Sequence, residues 1–206
     1  MTKFQNKYRI ESHRKPNWNY ASEGYYFITI CCQNQIHYLG KIENHKMILS
    51  DFGKIVDEEW HKSFALRTEL LLDEFILMPN HLHAIIILDP VQTHGRASQT
   101  DDDKNKETYG PQKTDDALET HGRASLPFSR KPKSISSFIA GFKSASTSKI
   151  DDFIDEREFP IKKFNRDHKF WHPNYHDHII RSEGAYLKIK NYIINNPAKW
   201  SVDKFH

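Results

Sequence analysis

The chain has 206 residues, 37% of them hydrophobic and 28% charged, with a net charge of +3 at pH 7. That length is enough for one domain with its own core, but too short for two full-sized domains and a linker. No apolar run approaches the roughly 20 residues that cross a bilayer. The basic N-terminus is not followed by the apolar stretch of a secretory signal, so we expect a cytoplasmic protein without a membrane partner.

The first predicted element is a strand over Gly24 to Gln33, because this run is rich in β-branched and aromatic residues. Cys31 and Cys32 lie within it, and alternation directs them to opposite faces, so we expect two reduced thiols and no disulfide. A helix is predicted next, with Ser50 or Asp51 as its N-cap. Its apolar positions have helical spacing: Phe52, Ile55, Val56 and Trp60.

The second half of the predicted fold begins with "ELLLDEFILMPNHLHAIIIL", two apolar runs broken only at Met78-Pro79-Asn80, which indicates an antiparallel hairpin. A second helix follows, capped by Ser134 or Ser136. "FWHPNYHDHIIR" is typical of an edge strand, and "SEGAYLKIKNYIINNPAKW" of a last helix ended by Asn196-Pro197. This order predicts an α+β sandwich of the ferredoxin-like βαββαβ type, an antiparallel sheet with helices on one face plus a C-terminal helix.

Two segments stand apart from this predicted domain, which spans residues 1–206. Residues 1–22 form a basic and aromatic N-terminal arm. Residues 90–133 form a polar, acidic insertion that repeats "THGRAS" at 93–98 and 120–125. The insertion has too few apolar residues to bury a core, so we predict that it is disordered.

His81 and His83 are the most unusual feature of the predicted hairpin. Residues two apart on a strand share a face and lie about 6 to 7 Å apart, so two imidazoles can share one metal ion. The simpler alternative is a pair of hydrogen-bonded polar residues. The cysteines offer no obvious tetrahedral set for zinc, and imidazoles with oxygen ligands favour Mg²⁺ or Mn²⁺.

The last predicted helix carries polar groups on one stripe. Tyr192 and Asn196 are four residues apart, and Lys188 lies one turn earlier. The alternative is that Tyr192 fills the core beside Ile189 and Ile193, and the spacing alone does not decide between the two.

Four segments, in order, resemble one family. "MPNHLHAIII" resembles the HUH motif (His, hydrophobic, His) of single-strand DNA transposases, in particular the REP-associated tyrosine transposases of the insertion-sequence 200-like type. "DHIIRSEGAYLKIKNYIINNPAKW" is similar to the final segment of that group, whose helix carries a nucleophilic tyrosine before an Asn-Pro. "GYYFITICCQN" and "FIAGFKSASTSKI" also resemble segments of that group in the type of residues and in their order along the chain. The resemblance therefore covers nearly the whole chain outside residues 90–133.

This resemblance implies a metal-dependent transposase that cleaves and rejoins single-stranded, hairpin-forming DNA through a 5′-phosphotyrosine intermediate. It implies Tyr192 as the nucleophile, and His81 and His83 as ligands of Mg²⁺ or Mn²⁺. Asn196 matches the position of the third ligand. Lys188 is a candidate accessory cation for lowering the pKa of the tyrosine.

DNA contacts are expected from cations that bind phosphates and from rings that stack on unpaired bases. For the candidates in the N-terminal arm, the alternative is a disordered basic tail. The candidates are Lys7, Arg9, Arg14, Lys15, Trp18, Arg130, Lys131 and Lys133.

Two other functions stay open at this point. One is a domesticated DNA-binding module that does not cleave, and the other is a metal-dependent nuclease that uses activated water. For the oligomeric state, we favour a monomer over a homodimer.

Overall fold

The computed structural model describes residues 18–89 and 132–206, together with two short N-terminal strands. The insertion, apart from residues 132 and 133, and most of the N-terminal arm lie outside the described residues. The elements in chain order are β1 (Lys3–Phe4), β2 (Lys7–Tyr8), β3 (Gly24–Cys31), β4 (Gly40–Glu43), β5 (Lys46–Leu49), α1 (Asp51–Ala65), β6 (Leu70–Met78), β7 (His81–Leu88), α2 (Ile135–Glu156), β8 (His176–Ile180) and α3 (Glu183–Asn195). A 3₁₀ helix over Pro197–Val202 follows α3.

The central sheet has the strand order β6-β7-β3-β8, and every neighbouring pair is antiparallel. The α+β class and the order of the four sheet strands and three helices are as the sequence predicts, and β8 is an edge strand. The antiparallel pairs β1-β2 and β4-β5 are additional to the prediction. The paired strands β6 and β7 are joined by the short turn at Pro79-Asn80.

Helices α1 and α2 cover one face of the sheet. The Ser50 Oγ accepts a hydrogen bond from the Gly53 amide at 3.0 Å and so caps α1. Ser134 caps α2 in a reciprocal capping box with Ser137. Trp60 of α1 packs edge-on against Phe142 of α2, with ring centroids 4.8 Å apart. The buried sheet residues beneath them are Leu82, Ala84, Ile86 and Leu88 of β7 and Tyr26, Ile28 and Ile30 of β3.

Helix α3 lies on the opposite face. Its Ile193 is fully buried and packs with Ile85 of β7 and Ile180 of β8. Residues two apart on β7 share a face, so this is also the face of His81 and His83. The fold therefore places the helix that carries Tyr192 over the two histidines.

One hairpin that the sequence analysis did not predict lies between β3 and α1. Strands β4 and β5 pair there, and the turn residues Asn44 and His45 have φ values of 49° and 61°. The residue just before this hairpin also explains Gly53 inside α1. A Cβ at Gly53 would lie 2.0 Å from the carbonyl oxygen of Leu39, so only glycine fits this close approach.

Cys31 and Cys32 are both free thiols. Among the described residues, no helix combines the length and the hydropathy that a membrane span requires.

Candidate metal and nucleophile site

His81 and His83 begin strand β7 and are completely buried, with 0% and 1% of their surfaces exposed. Their Nε2 atoms face each other at 3.1 Å, and the ring centroids are 4.5 Å apart. The two imidazoles thus converge on one point, as the alternation of the strand predicts.

Asn80 determines which nitrogen of His81 carries the proton. Its amide nitrogen donates to the carbonyl oxygens of Gln35 and Phe205, at 3.0 and 2.7 Å, so the side-chain oxygen must point the other way. That oxygen lies 2.8 Å from His81 Nδ1, which therefore carries a hydrogen. The Nε2 of His81 is therefore unprotonated, and its lone pair is directed into the site.

His83 is oriented from the neighbouring strand. Thr29 of β3 lies directly opposite His83 in the register, and its Oγ1 is 2.8 Å from His83 Nδ1. A threonine hydroxyl either donates or accepts. When the hydroxyl accepts a hydrogen bond from Nδ1–H, the Nε2 of His83 is unprotonated, and its free lone pair lies beside that of His81.

Helix α3 adds two further groups. The hydroxyl of Tyr192 lies 3.2 Å from His83 Nε2. Asn196 is 1% exposed, and its amide nitrogen donates to Asp203 Oδ2 at 3.1 Å. Among the described residues, no group donates to the buried Asn196 Oδ1. A buried acceptor without a donor is costly, and a cation at this position would satisfy it.

Asp203 is a site residue that the sequence analysis did not identify. Ligand atoms of His81, His83 and Asp203 all lie within 4.8 Å of one another. The Oδ2 of Asp203 also accepts a hydrogen bond from the Tyr192 hydroxyl at 3.2 Å, and its Oδ1 accepts one from the Phe205 amide at 2.8 Å. This carboxylate connects the nucleophile candidate to the two histidines.

Burial sets the protonation states of the site. Burial lowers the pKa of His81 to about 4, and the pKa of His83 well below its usual range. Burial, together with the nearby Asp203 carboxylate, raises the pKa of Tyr192 to about 12. At neutral pH the imidazoles are uncharged and able to bind a metal, whereas the phenol keeps its proton.

The donor set fits a divalent cation. Two imidazole nitrogens, one carboxylate and an orphaned amide oxygen form a mixed nitrogen and oxygen site of the kind that first-row metals and Mg²⁺ accept. Cys31 lies opposite His81 in the register, but it is not part of the three-residue group. Burial raises the pKa of its thiol to about 11, so it stays protonated.

The other predicted site residues lie farther from this centre or outside the described residues. Lys188 is exposed on α3, and Lys133 is exposed just before α2. Trp18 donates to the Tyr26 hydroxyl at 3.2 Å, and its ring lies 5.4 Å from the Arg181 guanidinium. The side chain of Lys7 and the whole of Arg9, Arg14, Lys15, Arg130 and Lys131 are outside the described part of the chain.

Fold and site together define a ferredoxin-like α+β protein in which a buried His-x-His pair, a carboxylate and a helical tyrosine meet on one sheet face. The chain belongs to the same family as a Haemophilus influenzae protein that is described only as uncharacterized. The two are 34% identical over 200 residues, which is 95% of this chain and 92% of that protein. No model of a known protein family matches the chain.

Two solved structures resemble the chain. One is a REP-associated tyrosine transposase bound to a REP hairpin, 18% identical, with a TM-score of 0.48 over 99% of this chain and 77% of that one. The other is a candidate transposase from Deinococcus radiodurans, 14% identical, with a TM-score of 0.39 over 88% of this chain and 97% of that one.

Proposed function

We propose that the protein is a metal-dependent DNA endonuclease and strand transferase, a transposase of the HUH tyrosine class. It cleaves and rejoins single-stranded, hairpin-forming DNA through a 5′-phosphotyrosine. The observation that carries this proposal is the Tyr192 hydroxyl, 3.2 Å from His83 Nε2 and 3.2 Å from Asp203 Oδ2, beside the converging pair of histidines.

His81, His83 and Asp203 are the residues that would hold the cation, and the orphaned oxygen of Asn196 supports its predicted place as a further ligand. Mg²⁺ or Mn²⁺ bound there would supply positive charge that orients the scissile phosphate and stabilises charge on its oxygens. Asn80 and Thr29 hold the two imidazoles in the orientation that this requires.

Tyr192 is the nucleophile in this proposal. Its oxygen forms a bond to phosphorus as the bond from phosphorus to the 3′ oxygen breaks. The 3′ oxygen leaves with the electron pair and takes a proton from water, so the leaving strand ends in a 3′-OH. The phenolic proton passes to a base, and Asp203 Oδ2, which already accepts the hydrogen bond of the hydroxyl, is positioned to take it. Because the phosphodiester bond energy is kept in the covalent link, a 3′-OH can reverse the step.

The DNA partner rests on the motif resemblance and on the basic residues of the chain. Lys133 is exposed at the start of α2, where a phosphate can reach it. The cations of the N-terminal arm remain candidate phosphate contacts, and Lys188 remains a candidate accessory residue.

The experiment that tests the proposal uses end-labelled single-stranded hairpins with single-stranded flanks, incubated with the full chain and Mn²⁺. A denaturing gel then resolves free strands from protein-linked DNA. We expect a covalent adduct that is lost in Tyr192→Phe and kept in Tyr38→Phe, a matched change at a ring that packs on Phe52 and Phe170. Cleavage without an adduct in Tyr192→Phe would favour the nuclease that uses water, and binding without cleavage would favour the DNA-binding module.

A further inference from the structure

A second feature on the α3 face of the sheet is a cavity of about 500 Å³ beside the first turns of α3. Its lining includes Tyr25, Asp73, Ile87, Ile180, Arg181 and Tyr186. None of these residues belongs to the group of His81, His83 and Asp203. Ile87 is four residues after His83 on the same strand and the same side, so the cavity lies about 13 Å along β7 from the histidines.

We propose that this cavity binds one unpaired nucleobase that carries an exocyclic amino group, in the single strand that flanks the scissile phosphate. The proposal rests on the function proposed above, since it assigns a specificity pocket to the same DNA.

The aromatic part of the cavity is suited to stacking. Tyr25 leaves 43% of its surface exposed although it lies on a central strand of the sheet. In the register it lies opposite Ile87 of β7 and Ile180 of β8, which give the cavity an apolar floor. Its ring meets that of Tyr186 edge-on, with centroids 5.9 Å apart at 78°, so α3 fixes its position. A rigid, exposed ring above an apolar floor provides a stacking platform for a base.

The polar part of the cavity includes a carboxylate oxygen that receives no hydrogen bond from the described residues. Asp73 lies at the bulge of β6, and its Oδ1 accepts from Lys190 Nζ at 3.1 Å. Lys190 also donates to the Tyr186 hydroxyl at 3.1 Å, so the carboxylate is held in place. Within the described residues, the shielded Oδ2 of Asp73 receives no hydrogen bond. An N–H group from a ligand in the cavity would satisfy it.

This arrangement discriminates among bases. A carboxylate accepts from the N4 amino group of cytosine, and the amino groups of adenine and guanine offer similar donors. Thymine has only its N3–H, which is flanked by two carbonyl oxygens that a carboxylate repels. Arg181, exposed at the rim and placed 5.4 Å from the Trp18 ring, supplies a cation for the phosphate of the same nucleotide.

The test compares the binding of fluorescent dC12 and dT12 to the full chain by anisotropy, at one salt concentration. Tyr192→Phe is the parent and EDTA is present, so cleavage does not contribute. We expect dC12 to bind about tenfold more tightly than dT12, and Asp73→Asn to bring the two within about twofold, because an amide can also donate to thymine. Asp57→Asn, on α1 across the sheet, should leave the preference unchanged.

Variants at Tyr25 test the stacking platform. Tyr25→Ala should weaken the binding of both oligomers about tenfold, whereas Tyr25→Phe, which keeps the ring, should bind like the parent. The side chain is exposed, so thermal unfolding midpoints should match across these proteins. Equal affinity for dC12 and dT12 in the parent, or a preference that survives in Asp73→Asn, would contradict the base-binding role of the cavity and leave the proposed function standing. Failure of both oligomers to bind would contradict DNA as the partner in the proposed function, and the base-binding role with it.

Discussion

The side-chain oxygen of Asn80 lies 2.8 Å from Nδ1 of His81, and the amide nitrogen of Asn80 is engaged by two main-chain carbonyls. This pair fixes the tautomer that leaves His81 Nε2 free for a metal. A residue next to a metal-binding histidine can therefore govern metal affinity without touching the ion.

Asn80→Ala should weaken Mn²⁺ binding by about 10- to 100-fold, because His81 loses the partner that selects its tautomer and fixes its ring. Isothermal titration calorimetry on the EDTA-stripped protein measures this affinity. Asn191→Ala, an exposed change on α3, is the matched control and should bind like the wild type. Unchanged affinity in Asn80→Ala would show that the tautomer is set elsewhere.

Asp203→Asn should also weaken Mn²⁺ binding, by about tenfold or more, since the only carboxylate of the three-residue group loses its charge. The same titration serves, with Asp167→Asn as the exposed control. If both proteins bind Mn²⁺ equally well, Asp203 is not a ligand and acts only on Tyr192.

Asn196→Ala tests the predicted ligand on α3. Its side-chain oxygen would have a partner only in the metal-bound protein, so its loss should weaken Mn²⁺ binding. In the metal-free protein the variant loses the hydrogen bond to Asp203 but also removes a buried oxygen that has no donor, so stability should fall by no more than about 1 kcal/mol. Chemical denaturation in EDTA measures that stability. The neighbouring Asn195→Ala removes a hydrogen bond within α3 and should leave the metal affinity as it is. A large loss of stability with normal metal affinity would make Asn196 a structural residue.

The metal-free protein should lose stability as the pH falls below about 6.5. The pKa of His81 is lowered to about 4 in the folded state, so between these two values the unfolded state binds the extra proton. Lys204 and His37 oppose protonation of His81, and Asp203 favours it without reversing the shift. Between pH 7 and pH 5 the free energy of unfolding should fall by about 2 kcal/mol from His81 alone.

Urea denaturation in EDTA at several pH values measures this dependence. His81→Gln should show a shallower fall than the wild type, whereas His61→Gln, an exposed histidine on α1, should follow the wild type. Parallel curves for His81→Gln and the wild type would contradict the assignment of a buried, neutral His81.

The four-stranded sheet and the faces on which the histidines and the tyrosine lie could be predicted from the sequence because they follow local rules, whereas the roles of these side chains were expected only from the family resemblance. The period of two places His81 and His83 on one face, and helical spacing places Tyr192 and Asn196 on one stripe. Asp203 follows a 3₁₀ helix after Pro197, where no simple periodicity applies, and its position depends on contacts with Asn196 and Phe205. That position is a product of tertiary packing and is absent from the local pattern.

Asn80 was missed for a related reason. An asparagine after a proline between two strands is typical of a turn residue, and the two carbonyls that orient it come from Gln35 and from Phe205, which lie 45 positions earlier and 125 positions later. The hairpin of β4 and β5 had only a weak signal, since His45 stands where a glycine would mark a tight turn.

The most direct test of the central claim is to identify the residue and the DNA end that are joined after cleavage. Adduct formed on a hairpin substrate with Mn²⁺ is digested with protease and nuclease, and the linked peptide is sequenced by mass spectrometry. We predict a single nucleotide joined through its 5′ phosphate to Tyr192, with a free 3′-OH on the released strand. A link to another residue, a 3′-phosphate link, or cleaved DNA with no linked peptide would contradict the account.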